Sequence, residues 1–170
     1  AAYLCFRYWR STQSHFSDDC VLIQGGGYSG FYFMHGRLES LENAYNRTYL
    51  CYSAGCLNAV ALWSGYSGLQ LVDFGRHSQN LYVQGEMPWI NATEQMIDNV
   101  IAGRGLERGR PRVSALERRA RKNPKFLSNL NIMTTTFQWG FIPTLTIRTP
   151  CSLVELKEYL LQTCWIPYAT

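Results

Sequence analysis

Short apolar runs alternate with longer segments of helical periodicity along this chain. An uninterrupted apolar, β-prone run predicts a buried strand, whereas apolar residues recurring every three or four positions predict an amphipathic helix. Four runs predict strands, at residues 20–24, 49–51, 130–137 and 144–148. Helical segments are predicted at residues 31–46, 54–66, 69–81, 93–102 and 152–166. This order predicts an α/β layered domain with a mainly parallel sheet.

Ser53 lies in a sharp turn between the second predicted strand and the helix that follows it. A hydroxyl in such a turn projects beyond the end of the sheet. It also lies at a helix N-terminus, where free N–H groups and the helix dipole favour a developing oxyanion. Ala54 and Gly55 leave room for the backbone to turn closely between strand and helix. Two interpretations of Ser53 stay open at this point: a catalytic nucleophile or an ordinary helix N-cap.

A glycine-rich turn, G-G-G-Y-S-G at residues 25–30, follows the first predicted strand. Three consecutive glycines bury no side chain, but they allow bare N–H groups to approach an anion closely. A dinucleotide-binding fingerprint can be drawn through Gly25, Gly27 and Gly30, but it lacks the acidic residue expected about 20 positions later. A Walker A motif is excluded, because no Gly-Lys-Ser/Thr follows. With a nucleophile turn on the next strand, the sequence favours an oxyanion hole.

Together these segments resemble the patatin-like lipid acyl hydrolases. The family pattern is a strand, G-G-G-x-[K/R]-G, a helix, a strand, and G-x-S-x-G opening another helix. Here the two motifs stand as G-G-G-Y-S-G at 25–30 and C-Y-S-A-G at 51–55. A third stretch, L-L-Q-T-C-W-I-P at 160–167, is similar to the family's helix that ends in an Ile-Pro turn. The resemblance extends from about Cys20 to the end of the chain.

The resemblance implies a three-layer fold, with a mainly parallel sheet between helices, and lipid acyl hydrolase activity of the phospholipase A or esterase type. It implies that Ser53 is the nucleophile, framed by Cys51 and Gly55 in the nucleophile elbow. The oxyanion hole would be formed by backbone N–H groups at Gly25, Gly26, Gly27 and Ala54. The substrate would be a lipid ester, and neither a cofactor nor a metal is expected.

Three positions depart from the family pattern. Ser29 stands in place of a Lys or Arg, and Cys51 in place of the first elbow glycine. The family's general base is an aspartate in an Asp-Gly-[Gly/Ala] motif after the Ile-Pro turn, and the chain stops at Thr170 before such a motif. The domain is therefore expected to be C-terminally incomplete. An alternative function is a catalytically inactive domain that serves as a structural or interaction subunit of a larger complex.

Histidines do not supply an evident base. A Ser-His-Asp triad of this type needs a histidine late in the chain, and the last one is His77. His35 lies on the helix after the glycine-rich turn, where the more common role of a single histidine is a hydrogen-bonded structural one. The pattern is in keeping with a serine–aspartate dyad.

The chain of 170 residues favours one domain at residues 20–170, preceded by an aromatic and basic arm at residues 1–19. The arm suits packing on the domain, and aromatic residues beside arginines also suit a membrane surface or a protein partner. No apolar run approaches the length of a membrane span, and no signal-peptide pattern is present. We expect an intracellular or organellar protein, soluble or peripherally bound to a membrane.

More than half of the lysines and arginines lie between residues 104 and 125. The simpler interpretation is a solvated loop followed by a short exposed helix, with no binding function. The functional one is contact of Arg118, Arg119, Arg121 and Lys122 with anionic lipid headgroups or an acidic protein face. Nucleic acid is not predicted as a partner, because the net charge is only +4 and this run lacks aromatic residues for base stacking.

Six cysteines show no C-x-x-C pair and no metal-ligand spacing with histidine. The favoured expectation is that all six are buried thiols in a reducing compartment. A disulfide stays open as the alternative, and Cys51 and Cys56 flank the candidate nucleophile.

Overall fold

The computed structural model describes residues 20–103, 113–138 and 142–164. The four strands of this part are β1 (Cys20–Ile23), β2 (Thr48–Tyr52), β3 (Leu130–Gln138) and β4 (Ile142–Arg148). Its α-helices are α1 (Gly27–Glu39), α2 (Ala54–Ser64), α3 (Gly68–Val83), α4 (Trp89–Ala102), α5 (Ala115–Lys122) and α6 (Leu153–Cys164). Short 3₁₀ turns cover Ala44–Asn46 and Pro124–Asn129. The arm at 1–19, residues 104–112 of the basic run and the Ile-Pro turn lie outside the described residues.

The strands form one open sheet in the order β1, β2, β3, β4. The first three strands are parallel, with Ile23 opposite Cys51 and Cys51 opposite Ile132, whereas β4 returns antiparallel to β3. The mixed α/β architecture and the mainly parallel sheet predicted from the sequence are therefore confirmed. Because β1 and β2 are parallel neighbours, the segments that follow them emerge side by side at the same edge of the sheet.

Helix α2 is the centre of the core. All eleven of its residues are buried, as expected for a helix whose surface is apolar on nearly every side. On the sheet side, the ring of Trp63 lies edge-on to Tyr49 of β2, with centroids 5.8 Å apart. Helices α1, α4, α5 and α6 pack around the remaining surface of α2. The first residue of α2 is therefore held firmly at the edge where β2 ends.

Several helix boundaries differ from the sequence predictions, and local capping explains some of these differences. Helix α1 begins at Gly27, four residues earlier than predicted, and ends at Glu39. Helix α3 begins at Gly68, because Ser67 and Gln70 form a capping box. Helix α2 ends at Ser64 because Gly65 adopts a left-handed conformation with φ of 89°. Among the helices of the described ranges, none combines the length and apolarity needed to cross a membrane.

Candidate active site

Ser53 has a backbone conformation that side-chain-bearing residues rarely adopt. It joins β2 directly to α2, with φ of 52° and ψ of −132°. Such conformations cost on the order of 1–3 kcal/mol and persist only where the surrounding structure enforces them. Ser53 occupies the N-cap position of α2, as the second interpretation expected, but its side chain makes no capping hydrogen bond to that helix. The strained strand-to-helix turn leaves the hydroxyl free of that structural role.

Gly55 is required by the packing of this turn. A Cβ atom at residue 55 would lie 2.4 Å from the carbonyl oxygen of Gln24 and 2.7 Å from that of Ile23. Both distances are shorter than real Cβ contacts, so only glycine fits between the end of β1 and the first turn of α2. The absence of a side chain at residue 55 therefore lets the two segments meet.

The side chain of Cys51 is tied covalently to the helix that follows the turn. A disulfide joins Cys51, in β2, to Cys56, in the first turns of α2, with the two Cα atoms 5.0 Å apart. The expectation that all cysteines are buried thiols is wrong for this pair, for the exposed thiol of Cys151 and for the half-buried thiol of Cys20. Spacing alone did not distinguish a bridge across the turn from two separate thiols. The disulfide spans the turn that contains Ser53.

The glycine-rich segment lies against Ser53. A Cβ atom at Gly25 would stand 3.0 Å from the Ser53 Cβ. Gly26 and Gly27 have φ of 156° and 59°, which favour glycine. The Gly26 carbonyl accepts hydrogen bonds from the Gly30 N–H at 3.0 Å and from the Ser29 hydroxyl at 3.2 Å. That carbonyl is thus engaged in the first turn of α1.

Two helix N-termini meet at this position. Gly27 and Tyr28 begin α1, and Ser53 and Ala54 stand at the start of α2; all four line one pocket. The first N–H groups of an α-helix have no acceptor within the helix, and the helix dipole makes this end electropositive. The arrangement therefore favours negative charge beside Ser53, as an oxyanion hole requires.

The pocket beside Ser53 has a volume of about 80 Å³ and a mainly apolar wall. It is lined by Gly27, Tyr28, Phe31, Ser53, Ala54, Leu57, Trp89, Thr93, Met96 and Cys164. The Trp89 ring packs edge-on against Tyr28 and Tyr82, with centroids 5.7 Å and 5.4 Å apart. The contribution of α4 could not be predicted from its sequence, because helical periodicity does not tell a core face from a pocket wall. The wall suits an acyl chain or another apolar group.

The titratable side chains of the pocket are unsuited to act as bases at neutral pH. Burial, as the largest cause, raises the pKa of Tyr28 to about 12. Burial likewise raises the pKa of the Cys164 thiol to about 12. The residues that line the pocket include neither a carboxylate nor an imidazole. A proton acceptor for Ser53 is therefore not supplied by this wall.

His35 lies in the core, away from the pocket wall. It is 1% exposed, and its Nε2 atom lies 3.3 Å from the carbonyl oxygen of Tyr66, just beyond the C-terminal end of α2. Burial lowers the pKa of His35, against the weaker opposing effect of Glu39. Its position agrees with the structural role expected from the sequence.

The basic helix α5 lies at the other end of α2 from Ser53. Ala115 of α5 packs near Gly65, which ends α2. Eleven residues of helix at 1.5 Å each separate that end from Ser53 by about 16 Å. Arg121 pairs with Glu117, and the Arg119 guanidinium lies 4.1 Å from the centre of the Tyr45 ring. Arg118 and Lys122 are exposed. The structure does not bring these four residues together with Ser53.

The four-stranded, mainly parallel sheet of this α/β fold thus carries a strained serine turn next to a glycine-rich turn. No family model, curated protein or solved structure matches this chain.

Proposed function

We propose that this chain is a lipid acyl hydrolase with a three-layer patatin-like fold and Ser53 as its nucleophile. The observation that carries the proposal is the conformation of Ser53, which is held at φ of 52° between β2 and α2. The close approach of the Gly25 backbone to Ser53, which leaves little room for a side chain at residue 25, and the apolar pocket beside Ser53 give further support. A serine with a purely structural role would not require the strained backbone, the close glycine and the pocket together.

The reaction follows from this arrangement. The Ser53 Oγ attacks the carbonyl carbon of an ester and loses its proton to a base. Backbone N–H groups at Gly26, Gly27 and Ala54 stabilise the negative charge on the carbonyl oxygen. The alcohol leaves with a proton, and a water molecule then hydrolyses the acyl-enzyme and restores the serine.

The proposal requires a carboxylate that the pocket wall does not contain. In the patatin-like family this base is an aspartate in an Asp-Gly motif after the Ile-Pro turn, so it would lie beyond Thr170. The acyl chain of the substrate would lie in the apolar pocket beside Ser53. The aromatic and aliphatic wall formed by Phe31, Leu57 and Met96 suits that role.

A second candidate function is a catalytically silent domain that acts as a structural or interaction subunit. The observation that favours it is the chemistry of the pocket wall, where Tyr28 and Cys164 are protonated at neutral pH and no carboxylate is present. In that case the strained serine turn would persist without turnover.

Ester hydrolysis by the full-length protein distinguishes the two candidates. We expect release of p-nitrophenol from p-nitrophenyl butyrate and of fatty acid from phosphatidylcholine micelles. S53A should lower kcat more than about 10³-fold, since removal of a nucleophile removes the covalent route. S40A is the matched control, because Ser40 is exposed and bonds only its own helix end. Equal hydrolysis by S53A, or none by the unchanged protein, would contradict the lipase proposal.

A further inference from the structure

A threonine from the last described helix contacts the backbone of Ser53. The Ser53 N–H donates a hydrogen bond to Thr163 Oγ1 at 2.9 Å. The Thr163 hydroxyl in turn donates to the carbonyl oxygen of Met133 at 2.6 Å. Thr163 is 4% exposed and belongs to α6, which is 110 residues away from Ser53 in sequence. One buried hydroxyl therefore joins α6, β3 and the serine turn.

The Thr163 hydroxyl lies at the point where the hydrogen bonding between β2 and β3 ends. The parallel pairing of β2 with β3 ends at Tyr52 opposite Met133. At the next residue, Ser53, the backbone leaves the extended conformation, so strand pairing does not continue. The Thr163 hydroxyl bridges the Ser53 N–H and the Met133 carbonyl instead. It satisfies two partly buried backbone groups at the step where the strands part.

The bond also restrains the conformation on which the serine turn depends. A residue in a rarely populated region of φ and ψ keeps it only where several contacts enforce it. Gly55 fixes the turn from the helix side, the disulfide spans it, and Thr163 holds the amide of Ser53 itself. The next residue, Cys164, lines the pocket. The end of α6 therefore contacts both the serine and the cavity beside it.

We infer that Thr163 is a positioning residue for the nucleophile. It holds the Ser53 amide so that the hydroxyl stays aligned with the oxyanion donors. This inference depends on the proposed hydrolase function. It predicts that loss of the Thr163 hydroxyl slows the chemical step more than it weakens substrate binding, because misplacement of a reacting group by about 1 Å can cost about a hundredfold in rate.

Three variants of the full-length protein test this role. T163V keeps the shape of the side chain and removes its hydroxyl, whereas T163S keeps the hydroxyl. T134V is the matched control, because Thr134 is fully buried in β3 and bonds the Thr146 carbonyl outside the pocket. Each protein is assayed for kcat and KM on p-nitrophenyl butyrate and for the rate constant of labelling by a fluorophosphonate. If T163V does not fold, T163A replaces it.

We expect T163V to lower kcat and the labelling rate constant about ten- to a hundredfold, with KM changed less than threefold. T163S should recover most of both rates, and T134V should match the unchanged protein. Normal rates in folded T163V, or equal loss in T163S and T163V, would overturn the inference. Lack of labelling in the unchanged protein would instead overturn the proposed function, and with it a positioning role in that reaction. The two failures are distinguishable, because lack of labelling is seen in the unchanged protein, whereas failure of the positioning role is seen only when the Thr163 variants are compared with it.

Discussion

Ser53 and Gly55 depend on each other, because the turn that holds the serine also presses the first turn of α2 against the end of β1. Ser53 carries the strained backbone, and Gly55 provides the space that makes the strain tolerable. The residue pattern alone predicted the sharp turn and the room that Gly55 leaves in it, since a serine and a glycine two positions apart between strand and helix are typical of such a turn. The strained φ of Ser53 became apparent only in the structure.

Substitution of Gly55 by alanine should destabilise the protein. The new methyl group would lie 2.4 Å from a backbone oxygen of Gln24, which cannot move without shifting β1. We expect the free energy of unfolding to fall by about 1–3 kcal/mol in urea titrations. G36A is the control, because a Cβ there has no atom within 4 Å, and alanine in a helix is favoured over glycine by about 0.5–1 kcal/mol. A neutral G55A would contradict the packing described.

His35 should make the protein less stable in acid. Burial lowers its pKa below the ordinary value of 6.5, so below pH 6.5 the unfolded chain takes up a proton that the folded protein does not. The free energy of unfolding should therefore fall as the pH drops from 6.5 towards the pKa of the folded protein. H35Q should show a smaller fall than the unchanged protein in urea titrations between pH 7 and 5. H77Q, at an exposed residue, serves as the control; equal slopes for all three would contradict this origin.

At the scale of elements, β2 and α2 form one unit joined by a covalent bond. Cys51 and Cys56, which are five positions apart in sequence, close a loop around Ser53. Strand and helix could be predicted here from the change from an apolar run to helical periodicity. The disulfide could not, because pairing depends on the distance between Cα atoms, which the turn itself sets.

Removal of this disulfide should lower stability without unfolding the domain. In the loop-entropy model, closing so short a loop lowers the conformational entropy of the unfolded chain and raises its free energy by about 2 kcal/mol. We expect a reducing agent to lower the free energy of unfolding by about that amount. The C51A/C56A variant should be insensitive to the same reagent. A stability unaffected by reduction in the unchanged protein would contradict the presence of the bridge.

At the scale of the whole molecule, the sheet brings together segments that are far apart in sequence. The order of elements and the parallel sheet could be predicted, because apolar periodicity marks each element and parallel strands place their following turns at one edge. The pocket wall from Trp89, Met96 and Cys164 could not, because it arises from the packing of α4 and α6 against α2. Thr163 was missed for the same reason, since its two partners lie 110 and 30 residues away.

We propose that this fold holds Ser53 as a reactive nucleophile. The most direct measurement is mass-spectrometric mapping of the adduct formed when the folded, full-length protein reacts with a fluorophosphonate. We expect a single adduct on the peptide that contains Ser53, which is lost in S53A and in protein denatured before labelling. A folded protein that forms no adduct, or one modified elsewhere while Ser53 stays free, would contradict the claim.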